Sequence, residues 1–393
     1  MNTINRYTIE DVTYLLGLHA DRIIGNQHQM KICPFCGGDG YKFAWNPEKG
    51  RYSCFRASCD AAGNARDLYR ELSGKTFIND KAVDCEILSR LNGNTEEYSN
   101  FKLNLDNQKK NQPKQCHKRE DEYCSEVFKE ILSILTLRKN HLQNLLDRGF
   151  SERFIEKMGF KSNPTDRVGL CRKLMTKGYE LEGVPGFFIN KDGDWEYNCP
   201  ERSMLCPAID AKRGLILGFQ ARLDNPSDKY PKYLWVSSVG KERGTSSGAP
   251  ATYLKGKCCV TIITEGILKA TVIYHLLKGR YNVIGIAGVK HIKSLEPYID
   301  RGDYYVEAFD MDKFCTEDAD EKEIIKAKGI MADTNKLYQY LSSHNKRYTS
   351  INWELTENNH WRGNYKGLDD KLNSNKKAIK DFEEYIKRAS FEK

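Results

Sequence analysis

KCCVTIITEGILKATVIYHLLKGRYNVIGIAGVKHIKSLEPYIDRGDYYVEAFDMD, residues 257–312, decides how this chain folds. CCVTIIT is an apolar strand, ILKATVIYHLLKG a helix and YNVIGI a second strand. HIKSLEPYID reads as helical and DYYVEAF as a third strand, and Cys258 and Cys259 fall inside the first strand. A long helix over roughly 319–345 then leads into the strand RYTSINW. Strand and helix alternate, which is the rhythm of a parallel sheet covered by helices.

Acidic residues sit at the ends of these strands. Thr264-Glu265-Gly266 falls where the first strand ends and its helix begins. Asp310 and Asp312 follow the third strand. In an open α/β sheet, ligands bind at the carboxyl ends of strands. Alternate residues of an extended segment point the same way, so both aspartates are expected to face one site. Asp369 and Asp370, in Lys366-Gly367-Leu368-Asp369-Asp370, add a third acidic pair. Carboxylate oxygens suit Mg2+ or Mn2+. A cation held there lowers the pKa of an attacking hydroxyl and stabilises a leaving group. A lone DxD is common on surfaces, and solvated loop carboxylates are the plainer alternative, most of all for Asp369 and Asp370. Two acidic motifs at matching strand ends argue for Glu265, Asp310 and Asp312 as a catalytic, metal-binding set.

The other chemical signature lies near the start. Cys33 and Cys36 are separated by two residues, and Cys54 and Cys59 by four. Two such hooks on facing turns can converge on one tetrahedral ion, and four thiolates make a closed, structural zinc site. Four buried free thiols are the alternative. His28 has poorer ligand spacing and reads as a surface histidine. Between the hooks, Lys42, Phe43, Trp45, Lys49, Arg51 and Tyr52 interleave aromatics with cations. That pattern suits single-stranded nucleic acid, with bases on rings and cations on phosphates. Packing accounts equally well for Phe43 and Tyr52, leaving Lys42 and Trp45 as the template-binding candidates.

Composition bounds the rest. The 393 residues are 39% hydrophobic and 30% charged, with a net charge of +8. That fits a core-forming protein of two or three domains and permits a nucleic-acid partner without requiring one. Thirteen cysteines without an apolar signal core in MNTINRYTIEDV argue for thiols rather than disulfides. The cytoplasm is the expected compartment, with no membrane partner. Residues 1–95 are expected to form the cysteine domain and 96–120, polar and rich in Asn, Gln and Lys, a flexible linker. Residues 121–256 form a mixed α/β lobe, 257–373 the parallel-sheet domain and 374–393 a charged helix. Within the lobe, EVFKEILSILTLRKNHLQNLLDRG reads as one helical run. The fold class is therefore multi-domain, α+β and α/β.

CPFCGGDGYKFAWNPEKGRYSCFRASCDAAGNARDL, residues 33–68, resembles the zinc-binding domain of DnaG-type bacterial and phage primases. The wider gap between Cys54 and Cys59 departs from the usual two residues. Residues 257–373 resemble the Toprim domain of primases, topoisomerases and some nucleases, a Rossmann-like parallel sheet. Lys269 stands where bacterial replicative primases usually carry an aspartate, and KGLDD replaces a GxDPD form. Both changes look more like primases of phages, plasmids and integrative elements, and Lys269 leaves the number of catalytic ions open. RSMLCPAI (202–209), GFQAR (218–222) and PKYLWVSS (231–238) resemble segments of the primase core. The resemblance implies that Arg202, Arg222 and Lys232 line a basic groove for nucleotide and template. It implies a DNA primase that makes RNA primers from ribonucleoside triphosphates on single-stranded DNA. No G-x-x-x-x-G-K-[ST] loop is present, so a replicative helicase would act in trans. The rivals are a Toprim nuclease and a non-catalytic single-stranded DNA-binding replication protein.

Overall fold

The computed structural model describes residues 7–56, 59, 61–93, 113–200, 202–226 and 231–391. The chain divides into two compact units, Met1–Gln115 and Cys116–Lys393. Most of the segment expected as a linker lies outside the described residues. Its last residues do not behave as linker. Cys116 donates its backbone N–H to Gly244 O (2.9 Å) and Arg119 to Gly183 O (2.8 Å), so they belong to the second unit.

In the first unit, five short strands pair antiparallel in chain order: β1 (Arg22–Ile24), β2 (Gln27–Met30), β3 (Phe43–Asn46), β4 (Arg51–Cys54) and β5 (Ala62–Asn64). Helices Ile9–Leu15, Ala65–Leu72 and Asp80–Gly93 cover the sheet. Thr8 and Asn64 open the first two with reciprocal capping boxes, which satisfy backbone donors that a helix start leaves unpaired. Phe43, Trp45 and Tyr52 pack against Leu68, Val83 and Ile87.

The second unit is built on one nine-stranded sheet, in the order β11-β10-β9-β12-β14-β13-β15-β16, with β6 paired to β9. The expected lobe contributes β6 (Lys161–Ser162), β9 (Ser203–Asp210), β10 (Leu215–Leu223), β11 (Tyr233–Trp235) and β12 (Thr252–Leu254). The hairpin β7 (Phe187–Ile189) and β8 (Trp195–Tyr197) stands apart. The expected parallel sheet comprises β13 (Val260–Glu265), β14 (Asn282–Ile286), β15 (Tyr304–Glu307) and β16 (Arg347–Ser350). Neighbours β14, β13, β15 and β16 run parallel. The two parts join where β12 pairs antiparallel with β14 and parallel with β9. The expected boundary at 256 therefore crosses a continuous sheet.

Several local expectations need correction. The single helical run is two helices, Asp121–Ile134 and Lys139–Asp147. Leu135 turns extended (ψ 152°), and Thr136 O and the Arg138 N–H bond to Ser162 instead of a helical turn. The charged helix expected over 374–393 is present as Lys376–Phe391, separated by extended Asn375 from a short helix, Leu368–Ser374, that ends the preceding segment. Cys258 and Cys259 lie in a bend before β13, and Cys259 is exposed.

Directly behind the β15 end, a buried ion pair ties the chain together. Lys313 Nζ lies 2.7 Å from Glu307 Oε2, and both side chains are essentially inaccessible. The Glu307 carboxylate also accepts from Tyr338, Ser350 and the Phe309 N–H. Removing one partner of such a pair strands the other charge, at a cost of about 3–5 kcal/mol. Lys313→Met is expected to lower stability by that amount in urea unfolding. An unchanged midpoint would show that the pair contributes nothing net.

Candidate active site and metal centre

The acidic motifs meet at a cavity of about 460 Å³ in the second unit. Glu265 reaches it because Gly266 turns the chain out of β13 with φ +85°, a conformation glycine adopts without strain. Helix Ile267–Leu276 starts there and brings Lys269 to the cavity one turn later. Asp310 arrives from the end of β15, its backbone N–H 3.5 Å from Glu265 Oε1. Asp369 and Asp370 open the helix Leu368–Ser374 and line the cavity too.

Gly367 sets how close two of these carboxylates approach. A methyl group on it would lie 2.2 Å from Asp369 Oδ1 and 3.5 Å from Asp310 Oδ1. Both oxygens thus flank one small volume. Asp369 is 2% exposed, and its buried Oδ1 has no hydrogen-bond partner among the described residues.

Asp312 departs from expectation. Residues 311–313 form a turn of 3-10 helix, so strand alternation does not align Asp312 with Asp310. Asp312 lies outside the cavity lining, and Lys366 links the two: its Nζ is 2.8 Å from Asp312 Oδ2 and 3.6 Å from Asp310 Oδ2. Lys326 adds a contact of 2.9 Å to Asp312. Lys269 donates to Asp310, and Arg148 Nη1 lies 3.3 Å from Asp369 Oδ2.

Burial and mutual charge shape the titration of the cluster. Burial, then the Asp310 charge, pushes Glu265 up to about 7. Burial likewise lifts Asp369 to about 6. Burial would raise Asp312 as well, but hydrogen bonds from Lys366 and Lys326 hold it below the usual carboxylate range. Burial, with Arg222, Arg148 and Lys269 nearby, lowers Lys232.

The expected basic groove is partly assembled. Lys232 lines the cavity beside Tyr233 and Trp235. Arg222 stands two residues beyond the lining residue Gln220 on β10, on the same face, and opposite Tyr233 in register. Arg202 is exposed at the entry to β9 and is not part of the lining. Arg148, Lys366 and His291 also line the cavity, beyond the residues expected from sequence. Lys366 has a local signal, its place within the KGLDD motif. Arg148 has none, since its partner Asp369 is 221 residues away.

In the first unit, Cys33, Cys36, Cys54 and Cys59 present sulfurs within 4.8 Å of one another. This is the only group of three or more candidate ligands so close among the described residues; the carboxylates do not converge to that spacing. The first hook is tightened by backbone bonds Cys33 N–H to Gly38 O and Gly37 N–H to Cys33 O. Cys33 and Cys59 sulfurs are 4.0 Å apart. Four thiolates about 2.3 Å from one ion would be about 3.8 Å apart, so the set fits structural zinc. Without an ion, burial pushes Cys54 up to about 12, and the Gly38 backbone hydrogen bond pulls Cys36 down. Metal binding would release such protons.

The template candidates separate. Lys42 is exposed, but Trp45 is 1% exposed and belongs to the core. Its ring packs with Phe43 and, edge-on, with His28. His28, expected at the surface, is also 1% exposed. The aromatic left outside is Phe55, 60% exposed, immediately after Cys54.

Cavity, sheet and cysteine cluster together define a class: an α/β unit with an acidic cavity at the strand ends, preceded in the chain by a four-cysteine unit. No family model matches the chain. It is 24% identical over 226 residues to the DNA primase of Halalkalibacterium halodurans. That match covers 57% of this chain and 36% of the relative, so the chain spans well under half of the relative's length. The Aquifex aeolicus primase zinc-binding and RNA polymerase domains share 16% identity with it at a TM-score of 0.48, over 98% of this chain and 85% of that one. The primase fragment of the bacteriophage T7 primase-helicase protein shares 12% at 0.34, over 90% and 98%. Over those 226 residues the chain is similar to a bacterial DNA primase.

Proposed function

We propose that this chain is a DNA primase that joins ribonucleotides on a single-stranded DNA template. The observation that carries the reading is one cavity in which Lys232 and Arg148 face Glu265, Asp310 and Asp369. Nucleotidyl transfer needs this mixture: cations for a triphosphate and carboxylates near its α-phosphate. The 3′-hydroxyl of the primer attacks the α-phosphate, and pyrophosphate leaves. Glu265, raised to about 7 by burial, is suited to accept the hydroxyl proton near neutral pH. Lys232 and Arg148 bind phosphate oxygens. A Mg2+ or Mn2+ ion held by Asp310 and Asp312, with Glu265 alongside and Asp369 and Asp370 near, would neutralise charge as it builds on the phosphate.

In this reading the four cysteines hold one zinc, and the first unit, with Lys42, contacts the template. Arg222 and Arg202 guide the strand toward the cavity. A replicative helicase supplied in trans, a phage, plasmid or other mobile element as host and the cytoplasm as compartment complete the proposal. No helix among the described residues is long and apolar enough to cross a membrane.

Pure protein incubated with single-stranded DNA, Mg2+ and labelled ribonucleotides tests the reading. Short RNA products support it. Shortened DNA would mean a nuclease, and a mobility shift alone a binding protein. Gly367→Ala adds a finer test, since the methyl group would push against the Asp369 carboxylate. A misplacement near 1 Å can cost on the order of 10²-fold in rate. That loss is expected with an unaltered circular dichroism spectrum; full activity would show that carboxylate placement there is unimportant.

A further inference from the structure

We propose that the Lys269 ammonium permanently fills the place of a second divalent cation, so that the acidic site takes a single ion. The inference rests on the reading of Glu265, Asp310 and Asp312 as a metal site. The two oxygens of Asp310 face different cations: Oδ1 accepts from Lys269, and Oδ2 faces Lys366. The Oδ1 side is the enclosed one. There Lys269 also feels the charges of Asp369 and Glu265, and the unpartnered Asp369 Oδ1 shares the small volume beside Gly367. A dication in that space would meet an ammonium already held against Asp310. Lys269 projects from the first turn of a helix packed on the sheet, and its side chain is only 23% exposed.

The other side is built differently. Lys366 and Lys326, which neutralise Asp312, have side chains 49% and 59% exposed. Long lysine side chains at a surface reorient into water at little cost. Their departure frees Asp312 and Asp310 Oδ2 for one hydrated ion, and Mg2+ characteristically uses one or two carboxylates with several waters. Lys269 then adds a fixed positive charge beside the bound triphosphate, which the cavity position of its side chain allows.

Mn2+ titration of the zinc-loaded full chain, read by loss of the free-ion paramagnetic resonance signal, tests this without any turnover. Ions lost in Asp310→Ala, or in Asp312→Asn if that variant fails to fold, are counted as belonging to the site. The wild type is expected to hold one. Lys269→Asp, or Lys269→Ala if the first does not fold, is expected to hold two. Two site ions in the wild type would overturn the inference while leaving the metal-site reading intact. So would an unchanged count in a folded Lys269 variant. No site ion in the wild type would overturn the metal-site reading itself, and this inference with it.

Discussion

Primer synthesis by Asp310→Ala is expected to fall by on the order of 10³-fold or more, with the second unit still folded. Asp310 is the carboxylate on which the site converges: it lies beside Glu265 and contacts both Lys269 and Lys366. Alanine there removes the group that orients a cation against the α-phosphate. The stability cost should stay below that of breaking the Lys313–Glu307 pair. Lys269 keeps Asp369 and Glu265 as neighbouring negative charges, whereas Lys313 is the one ammonium bonded to Glu307 among the described residues. Single-stranded DNA binding should persist, since Lys232, Arg222 and Lys42 are untouched. Product yield by gel, with a urea melt as control, measures both parts. Normal yield would refute the site.

Cys36→Ser and Cys59→Ser are both expected to abolish zinc binding and unfold the first unit. Structural zinc in small modules contributes about 10–16 kcal/mol at neutral pH. The pair is informative because the two thiols differ in setting: Cys36 is exposed, and Cys59 is 8% exposed and part of the core. If the metal holds the unit together, the two variants fall alike. If packing does, only Cys59→Ser matters. Metal content by atomic absorption and thermal melting with and without chelator distinguish these. Stoichiometric zinc in either variant would sink the four-ligand assignment.

The parts of this molecule that are legible in the sequence are those where periodicity and chemistry coincide. The parallel strands β13, β14 and β15 carry largely apolar, buried runs, and Glu265 and Asp310 come at or just after their carboxyl ends. The four cysteines are legible because packing alone seldom sets thiols in two short hooks. What stays hidden depends on contacts between distant segments. Strand β3 is buried at all four positions, so the alternation that would mark Trp45 as outward or inward is absent. The helix break after Ile134 answers to Ser162, a partner that no local pattern reveals. Asp312 lies away from its expected position because Met311–Lys313 coils where extension is expected. In the sequence Lys269 registers only as a missing ligand, and its role as a partner of Asp310 emerges in space.

The shared sheet has a mechanical consequence. The residue that presents Lys232 and the residues that present Glu265 and Asp310 are joined by unbroken strand pairing from β11 through β15. Domain closure of the familiar sort pivots on a few loop residues that absorb large dihedral changes. No such pivot separates the cationic wall of this cavity from its acidic wall. The shared pairing ties the two walls to one sheet, so in the proposed reading the spacing between Lys232 and the carboxylates is set by the sheet and not by a hinge. The moving parts are then single side chains, Lys366 and Lys326 foremost. On the proposed function, selectivity among nucleotides would come from what fits this gap and not from how far the gap can shut.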